Sequence, residues 1–332
     1  MTSLPPTPAA PGGPARRLRI GTRSSPMALA QVERVSALLR KHEPELRIEV
    51  VPVTTEADLW QGDLSELDGK GSFVKQIDRM VQRGDVDLAV HCVKDVPGDV
   101  PMPDGLFFAA HLPRDDVRDV LLFPESSTRR KLDDLPRGAV VATSAVRRKA
   151  QLKRVRPDLS VVRVRGAVGS RVEKLDGRRP ADPAPDAMVL AVSGLERLGI
   201  QDRGRHIFSL DELLPAVGAG ALGLECRTDD RPTAALLALL DDERTTTEVG
   251  AERAMLRGLR GHCNSPIAGH CHTLPDGRLS LRGIVFDADG SAFVASHLVS
   301  EDPDHSGEAL GRRVCDDLLR QGADRIIASI PH

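Results

Sequence analysis

The chain has 332 residues, 40% of them hydrophobic and 28% charged, with a formal net charge of −2 at pH 7. That length exceeds one ordinary core and predicts two or three domains of soluble globular type. No apolar run reaches membrane-spanning length, and aromatics at 2% with no Tyr remove the usual platforms for stacking nucleic-acid bases. Five cysteines, odd in number and few for the length, fit reduced thiols better than a disulfide framework. Residues 1–15 are rich in Pro and small residues and lack the charged start and apolar centre of a secretory signal. They read as a disordered tail on a cytoplasmic protein.

In chain order, Leu18 to Ile20 begins a strand, and Ser25 followed by Pro26 is a strong helix start. Arg23, Ser24 and Ser25 therefore fall on a strand-to-helix turn, where free backbone N–H groups attract anions. A plain cap explains the two serines alone; Arg23 in the same turn favours an anion. Ile48 to Val53 reads as a second strand, residues 54–71 as a polar, Gly-bearing loop of the kind used as a lid, and Ser72 to Arg83 as an amphipathic helix. Val86 to Pro97, VDLAVHCVKDVP, is a short buried strand with Lys94 and Asp95 where it runs out. Ligands of open α/β sheets bind beyond the carboxyl ends of strands, so the two are a candidate acid/base pair, with a solvated ion pair as the default alternative.

The charged run RDDVRD at 114–119 reads as a crossing into a second α/β unit. There Ala139 to Ala142, Val161 to Val164 and Ala187 to Val192 are predicted strands, each feeding a hydroxyl- or Gly-bearing turn and a helix: Thr143-Ser144 before Arg147 and Arg148, Arg165-Gly166 before Arg171, Ser193-Gly194 before Arg197. Arg147 to Arg171 holds nine Lys/Arg and one acid, Asp158. Several of these arginines fall on strand-end turns instead of one solvated helix face, which suits bidentate pairing with a partner carrying several carboxylates or phosphates. Leu214 to Gly223 is small and Gly-rich and returns the chain beside the first unit. A helix at Val249–Leu259, strands at Leu279–Phe286 and Ala292–Val299, and a helix at Gly307–Arg320 make a small α+β domain. Between them His262, Cys263, His270, Cys271 and His272 invite zinc, but the spacing matches no common structural zinc pattern. A single attachment or nucleophilic thiol at Cys263 is the functional alternative to a buried structural cysteine.

The runs IGTRSSPMALAQ (20–31), GKGSFVKQID (69–78), DLAVHCVKDVP (87–97), VVATSAVRRKAQL (140–152), VRGAVGSRVEKL (164–175), LAVSGLERLG (190–199), LPAVGAGALGLECR (214–227), AERAM (251–255) and GHCNSPIAG (261–269) together resemble the hydroxymethylbilane synthase (porphobilinogen deaminase) family. The resemblance implies an α/β fold of two doubly wound domains like the halves of a type II periplasmic binding protein, plus a small C-terminal α+β domain. The implied division is residues 16–113 with 217–240, residues 114–216, and residues 241–332. It implies a transferase of tetrapyrrole, porphyrin and heme biosynthesis, a cytoplasmic monomer with no nucleic-acid or membrane partner and no metal. Four molecules of porphobilinogen lose ammonia through an electrophilic azafulvene and condense into the linear tetrapyrrole hydroxymethylbilane, on a dipyrromethane cofactor joined by a thioether to a cysteine, here Cys263. By motif match Asp95 is the carboxylate that handles protons. Lys94, Ser25, Arg147, Arg148, Thr143, Ser144 and Arg165 match cofactor-binding positions, and Arg23, Lys70, Arg171 and Arg197 match substrate-binding ones.

The chain departs from the family pattern at five places near these positions: Cys92 for Ser, Ala145 for Ser, Ala167 for Asn, Ala219 for Gln and His262 for Gly. Each loses or alters a polar contact or a flexible backbone position. The charged set is intact, which favours the enzyme; a divergent paralogue that binds an anionic small molecule without turnover, or acts on another pyrrole, is the alternative.

Overall fold

The computed structural model describes residues 16–55, 74–261, 265–301 and 306–329. In order the elements are β1 (Arg17–Arg23), α1 (Pro26–His42), β2 (Arg47–Val53), α2 (Lys75–Arg83), β3 (Leu88–Cys92), β4 (Leu106–His111), β5 (Asp119–Leu122), β6 (Val140–Ala142), α3 (Val146–Val155), β7 (Ser160–Val162), α4 (Val168–Leu175), β8 (Ala187–Ala191), α5 (Val192–Glu196), β9 (Gly204–Ile207), β10 (Leu222–Arg227), α6 (Arg231–Ala238), α7 (Glu243–Gly258), β11 (Ile267–Thr273), β12 (Leu279–Phe286), β13 (Phe293–Val299), α8 (Gly307–Arg320) and α9 (Ala323–Ala328). The proposed lid at 54–71 lies almost wholly outside the described residues, as do the N-terminal tail, Lys70, His262 and Cys263.

Two five-stranded sheets share one plan. The first runs β2-β1-β3-β10-β4 and the second β7-β6-β8-β5-β9. In each, the three strands from the edge are parallel and the fourth is antiparallel. That fourth strand reaches each sheet across the junction: β5 follows directly on the charged crossing at 114–118, and β10 follows the Gly-rich return. The repeated plan confirms the α/β class and explains why the two halves read alike in sequence. The first sheet buries Leu18, Ile20, Leu88, Val90 and Leu224 against Val32, Val35 and Leu39 of α1. The second divides Leu121, Val141 and Val189 from Val120, Leu122 and Leu190 onto its two faces, the pattern of strands buried on both sides.

The third sheet is an antiparallel meander, β11-β12-β13, with α7 and α8 on one face. The sequence anticipated its last two strands but assigned no element to residues 270–272; they lie in β11, a full edge strand. Helix α7 also starts earlier than expected, at Glu243, because Asp242 caps it through Thr245 N at 2.8 Å.

Candidate active site

At the end of β3 the chain makes one 3-10 turn, Val93–Asp95, so Lys94 and Asp95 stand at the carboxyl edge of the first sheet. Three neighbours fix this turn. Val93 N donates to Ala221 O at 3.1 Å. Gly218 packs so tightly beneath it that a Cβ would lie 2.8 Å from Val93 Cγ1 and 3.0 Å from Lys94 N, and its φ of +73° is itself glycine territory. Arg253 on α7 donates to Val96 O (3.3 Å) and Pro97 O (2.9 Å). The small C-terminal domain thus grips the Asp95 loop by its backbone. Burial lowers the Lys94 pKa, against the pull of Asp95.

Across the cleft the second sheet presents its arginines. Arg147 and Arg148 converge on one buried carboxylate, Asp119 of β5, at 2.7 and 2.6 Å. Burial would raise the Asp119 pKa, but the two guanidiniums hold it well below the usual carboxylate range. Arg147 also donates to Leu214 O, and Arg148 to Val189 O. Arg148 Nε remains buried with no hydrogen-bond partner among the described residues. Arg171 is tied by Nε to Gly166 O at 2.7 Å. Its pKa is pushed down to about 10 by burial and by Arg148, Arg165 and Arg23, with Asp95 opposing. Arg171 is thus within electrostatic reach of Arg23 on the first sheet, Arg148 and Arg165 on the second unit, and Asp95.

The hydroxyl residues serve turns. Ser25 Oγ accepts from Ala28 N at 3.3 Å as the cap of α1, Thr143 Oγ1 accepts from Ala145 N at 3.3 Å, and Ser144 Oγ donates to Val164 O. Ala145 and Ala167 occupy the cap positions of α3 and α4, neither of which has a side-chain cap. Two of the five departures therefore remove helix caps.

Arg197 binds Asp115 of the crossing segment at 2.6 Å, and Asp115 also holds Arg34 of α1 at 2.8 Å. Arg197 Nη1 reaches Cys92 Sγ at 3.4 Å, and Gln31 Nε2 reaches it at 3.0 Å. Cys92 thus sits where both halves of the molecule meet. The fourth departure, Ala219, uses its carbonyl: Arg114 Nε donates to Ala219 O at 2.9 Å.

A small cavity of about 50 Å³ adjoins Asp95, lined among others by Thr22, Arg23, Gln31, His91 and Cys92. Beneath it is a group that the sequence reading missed. His91 Nε2 lies 2.9 Å from Glu225 Oε2 and 4.0 Å from Asp78 Oδ1, all three side chains being at most 10% exposed. The signal was present: His91 and Glu225 stand inside apolar strands and Asp78 on the apolar side of a helix, where charged groups are seldom buried unless paired. In the other cysteine region, Cys271 faces the core while its strand neighbours His270 and His272 stack on the opposite face at 5.7 Å. These three therefore cannot share one ion. Burial, then Arg114, pushes His270 down to about 3.

Residues 18–235 match the family described as "Porphobilinogen deaminase, dipyromethane cofactor binding domain", and residues 246–320 match "Porphobilinogen deaminase, C-terminal domain". The chain belongs to the porphobilinogen deaminase family. It is 49% identical over 315 residues to porphobilinogen deaminase 2 of Streptomyces coelicolor, covering 95% of this chain and 97% of that one. It is 42% identical over 314 residues to the porphobilinogen deaminase of Syntrophotalea carbinolica, covering 94% and 96%. Among solved structures it is similar to the methionine binding protein MetQ, at 13% identity with a TM-score of 0.42, covering 68% of this chain and 89% of that one. As a member of this family the chain is a transferase of tetrapyrrole biosynthesis with a dipyrromethane-binding domain. None of its described helices is long and apolar enough to cross a membrane.

Proposed function

We propose that this chain is a hydroxymethylbilane synthase in which the cleft between the two mixed sheets deaminates porphobilinogen and condenses four molecules on a dipyrromethane cofactor attached to Cys263. The observation that carries the reading is the placing of one carboxylate, Asp95, at a strand end beside Lys94, on a cavity that Arg23 also lines, with Arg171 within its electrostatic reach. The residues fit such a cofactor. Two guanidiniums share the single charge of Asp119, and Arg148 keeps a buried N–H to give, so this wall has positive charge to spare for acetate and propionate arms. When bound, the cofactor supplies a nucleophilic pyrrole carbon and the covalent anchor of the growing chain.

Lys94, Ser25, Arg147, Arg148, Thr143, Ser144 and Arg165 are assigned to the cofactor, and Arg23, Lys70, Arg171 and Arg197 to the incoming substrate. Arg147 serves through Asp119, and Arg197 through Asp115 and Cys92. Asp95 takes and returns protons at the reacting ring and balances the cationic pyrrole. The division into residues 16–113 with 217–240, 114–216 and 241–332, a monomeric state and a cytoplasmic location complete the reading.

Intact-mass spectrometry of purified protein tests the anchor. The expected result is an adduct of two linked pyrroles that Cys263→Ser loses; active protein without the adduct refutes the assignment. Incubation with porphobilinogen should release ammonia and bilane. Asp95→Asn should abolish turnover at unchanged thermal stability, and near-normal turnover would remove Asp95 from its role.

A further inference from the structure

On the proposed reading each condensation releases a proton at the cleft, and the buried His91–Glu225–Asp78 group beside the cavity has no part in the function proposed above. We propose that His91, Glu225 and Asp78 form a buried proton-holding cluster that serves Asp95 through the water-sized cavity lined by both His91 and Asp95. The inference rests on the reading of Asp95 as the proton-handling carboxylate and adds three positioning residues behind it.

The geometry supports this in three ways. First, β3 alone carries both ends of the path: His91 is within the strand, and Asp95 lies in the turn that ends it. Second, a cavity of about 50 Å³ has room for one or two waters at roughly 30 Å³ each. Its wall includes Thr22, whose buried Oγ1 has no hydrogen-bond partner among the described residues, as expected of a group that bonds to water. Third, the cluster is unevenly satisfied. Asp78 Oδ1, Glu225 Oε1 and His91 Nε2 are all buried without hydrogen-bond partners among the described residues, although His91 Nε2 is within ion-pair reach of both carboxylates. Two carboxylates against one imidazole can be neutral only if they hold an additional proton between them.

The groups facing His91 are Glu225 from β10, Asp78 from α2 and Asp95 from its own chain turn, with Arg23 of β1 and Cys92 on the same cavity; β4 contributes only the edge of Phe108, at 6.4 Å between centroids. Burial opposes the charged imidazole, but Glu225, Asp78 and Asp95 together raise the His91 pKa. Burial and then Glu225 push Asp78 up to about 7. The cluster therefore gains or gives a proton near neutrality at little cost. The transfer balances: protonated Asp95 passes its proton to a cavity water, which passes one on to the cluster. Asp95 is left a carboxylate, the water is unchanged, and the Asp78–Glu225 pair is one charge less negative until solvent removes the proton.

Three variants and one spectrum test this on the purified holoenzyme. His91→Gln and Asp78→Asn should lower kcat about tenfold, at the low end for proton-transfer assistance, with KM within about twofold. Asp78→Asn should also erase the limb of the kcat–pH profile near pH 7, and Asp78→Glu should restore it. Infrared difference spectra of the wild type should show a protonated-carboxyl band that titrates near pH 7 and is missing from Asp78→Asn. The spectrum needs no turnover, so it separates this inference from the assignment of activity. Absence of that band, loss of kcat with an unchanged pH profile, or a stoichiometric metal retained by wild type and lost in Asp78→Asn would each overturn the cluster.

Discussion

Replacing Asp119 by Asn removes one negative charge and almost no volume from a site where Arg147 and Arg148 are each 8% exposed and Asp119 1%. At an effective dielectric of about 20, each guanidinium–carboxylate pair is worth about 4 kcal/mol at ~4 Å between charge centres. The repulsion between the two guanidiniums is the same with either side chain and cancels; the two attractions, about 8 kcal/mol together, are offset by the several kcal/mol that desolvating the carboxylate costs, which leaves a net stabilisation of about 4 kcal/mol. That agrees with the roughly 3–5 kcal/mol lost when one partner of a buried pair is removed, and it is a large part of the about 5–15 kcal/mol that stabilises a domain. Asp119→Asn should therefore lower the urea midpoint sharply and weaken hydrogen-exchange protection first in β5, β6 and β8. The pH dependence has a definite sign. Because the folded pKa of Asp119 is depressed, its stabilisation is full above the unfolded value near 3.9 and fades as pH falls toward the folded one. The Asn variant should show a flatter acid limb. A loss under about 1 kcal/mol, or an acid limb like that of wild type, would refute this account of the buried pair.

Cys92→Ser offers Gln31 and Arg197 a stronger acceptor than sulfur; kcat/KM should rise, and a fall would show that the thiol is favoured at that contact. Maleimide should label Cys92 ahead of Cys226 and Cys315, whose pKa values burial pushes up to about 11, and substrate should slow the labelling; peptide mapping reads both. Ala145→Ser and Ala167→Asn, which restore caps to α3 and α4, should each raise unfolding free energy by about 1 kcal/mol, measured by urea titration. Burial holds the His111 pKa down to about 4 from 6.5, so stability should rise with pH between those values, by at most about 3 kcal/mol. Thermal melts from pH 4 to 7 should show that slope, and His111→Gln should flatten it.

Periodicity and punctuation made much of the architecture legible. Ser25-Pro26 located α1, and the apolar run ending at Lys94-Asp95 located β3 and the turn that ends it, because caps and buried strands are local features. The return of the chain to the first unit at Leu214–Gly223 was legible, but the entry of β5 and β10 as antiparallel fourth strands was hidden, since both are short apolar runs whose partners lie far away in the chain. The arginines were visible as a charge run, but which of them share a carboxylate was not. Asp119 is separated from Arg147 by 28 residues and sits in a segment that reads as a charged linker. Ala145 and Ala167 read as lost polar contacts to a ligand; their cap positions show a helix-stability role that only the backbone reveals. His91 escaped notice because a histidine in an apolar strand looks like filler until Glu225 and Asp78 are brought beside it.

Under the proposed function, the allocation of charge explains how one carboxylate could act in a cleft that takes carboxylates. Among the described acids at the junction, Asp119 is held by Arg147 and Arg148, and Asp115 by Arg34 and Arg197. Glu252 is buried with Arg114 and the amides of Gly218 and Cys271. Each of these acids is committed to structure, and with them the crossing segment, the Gly-rich return and the C-terminal domain are joined at one point. Asp95 stands on a turn gripped through backbone carbonyls by Arg253, so its position is set without an ion pair to its own carboxylate among the described residues. Orientation then comes from the backbone, and under the proposed function the carboxylate stays available to a cationic pyrrole while the opposite wall would take the anionic arms.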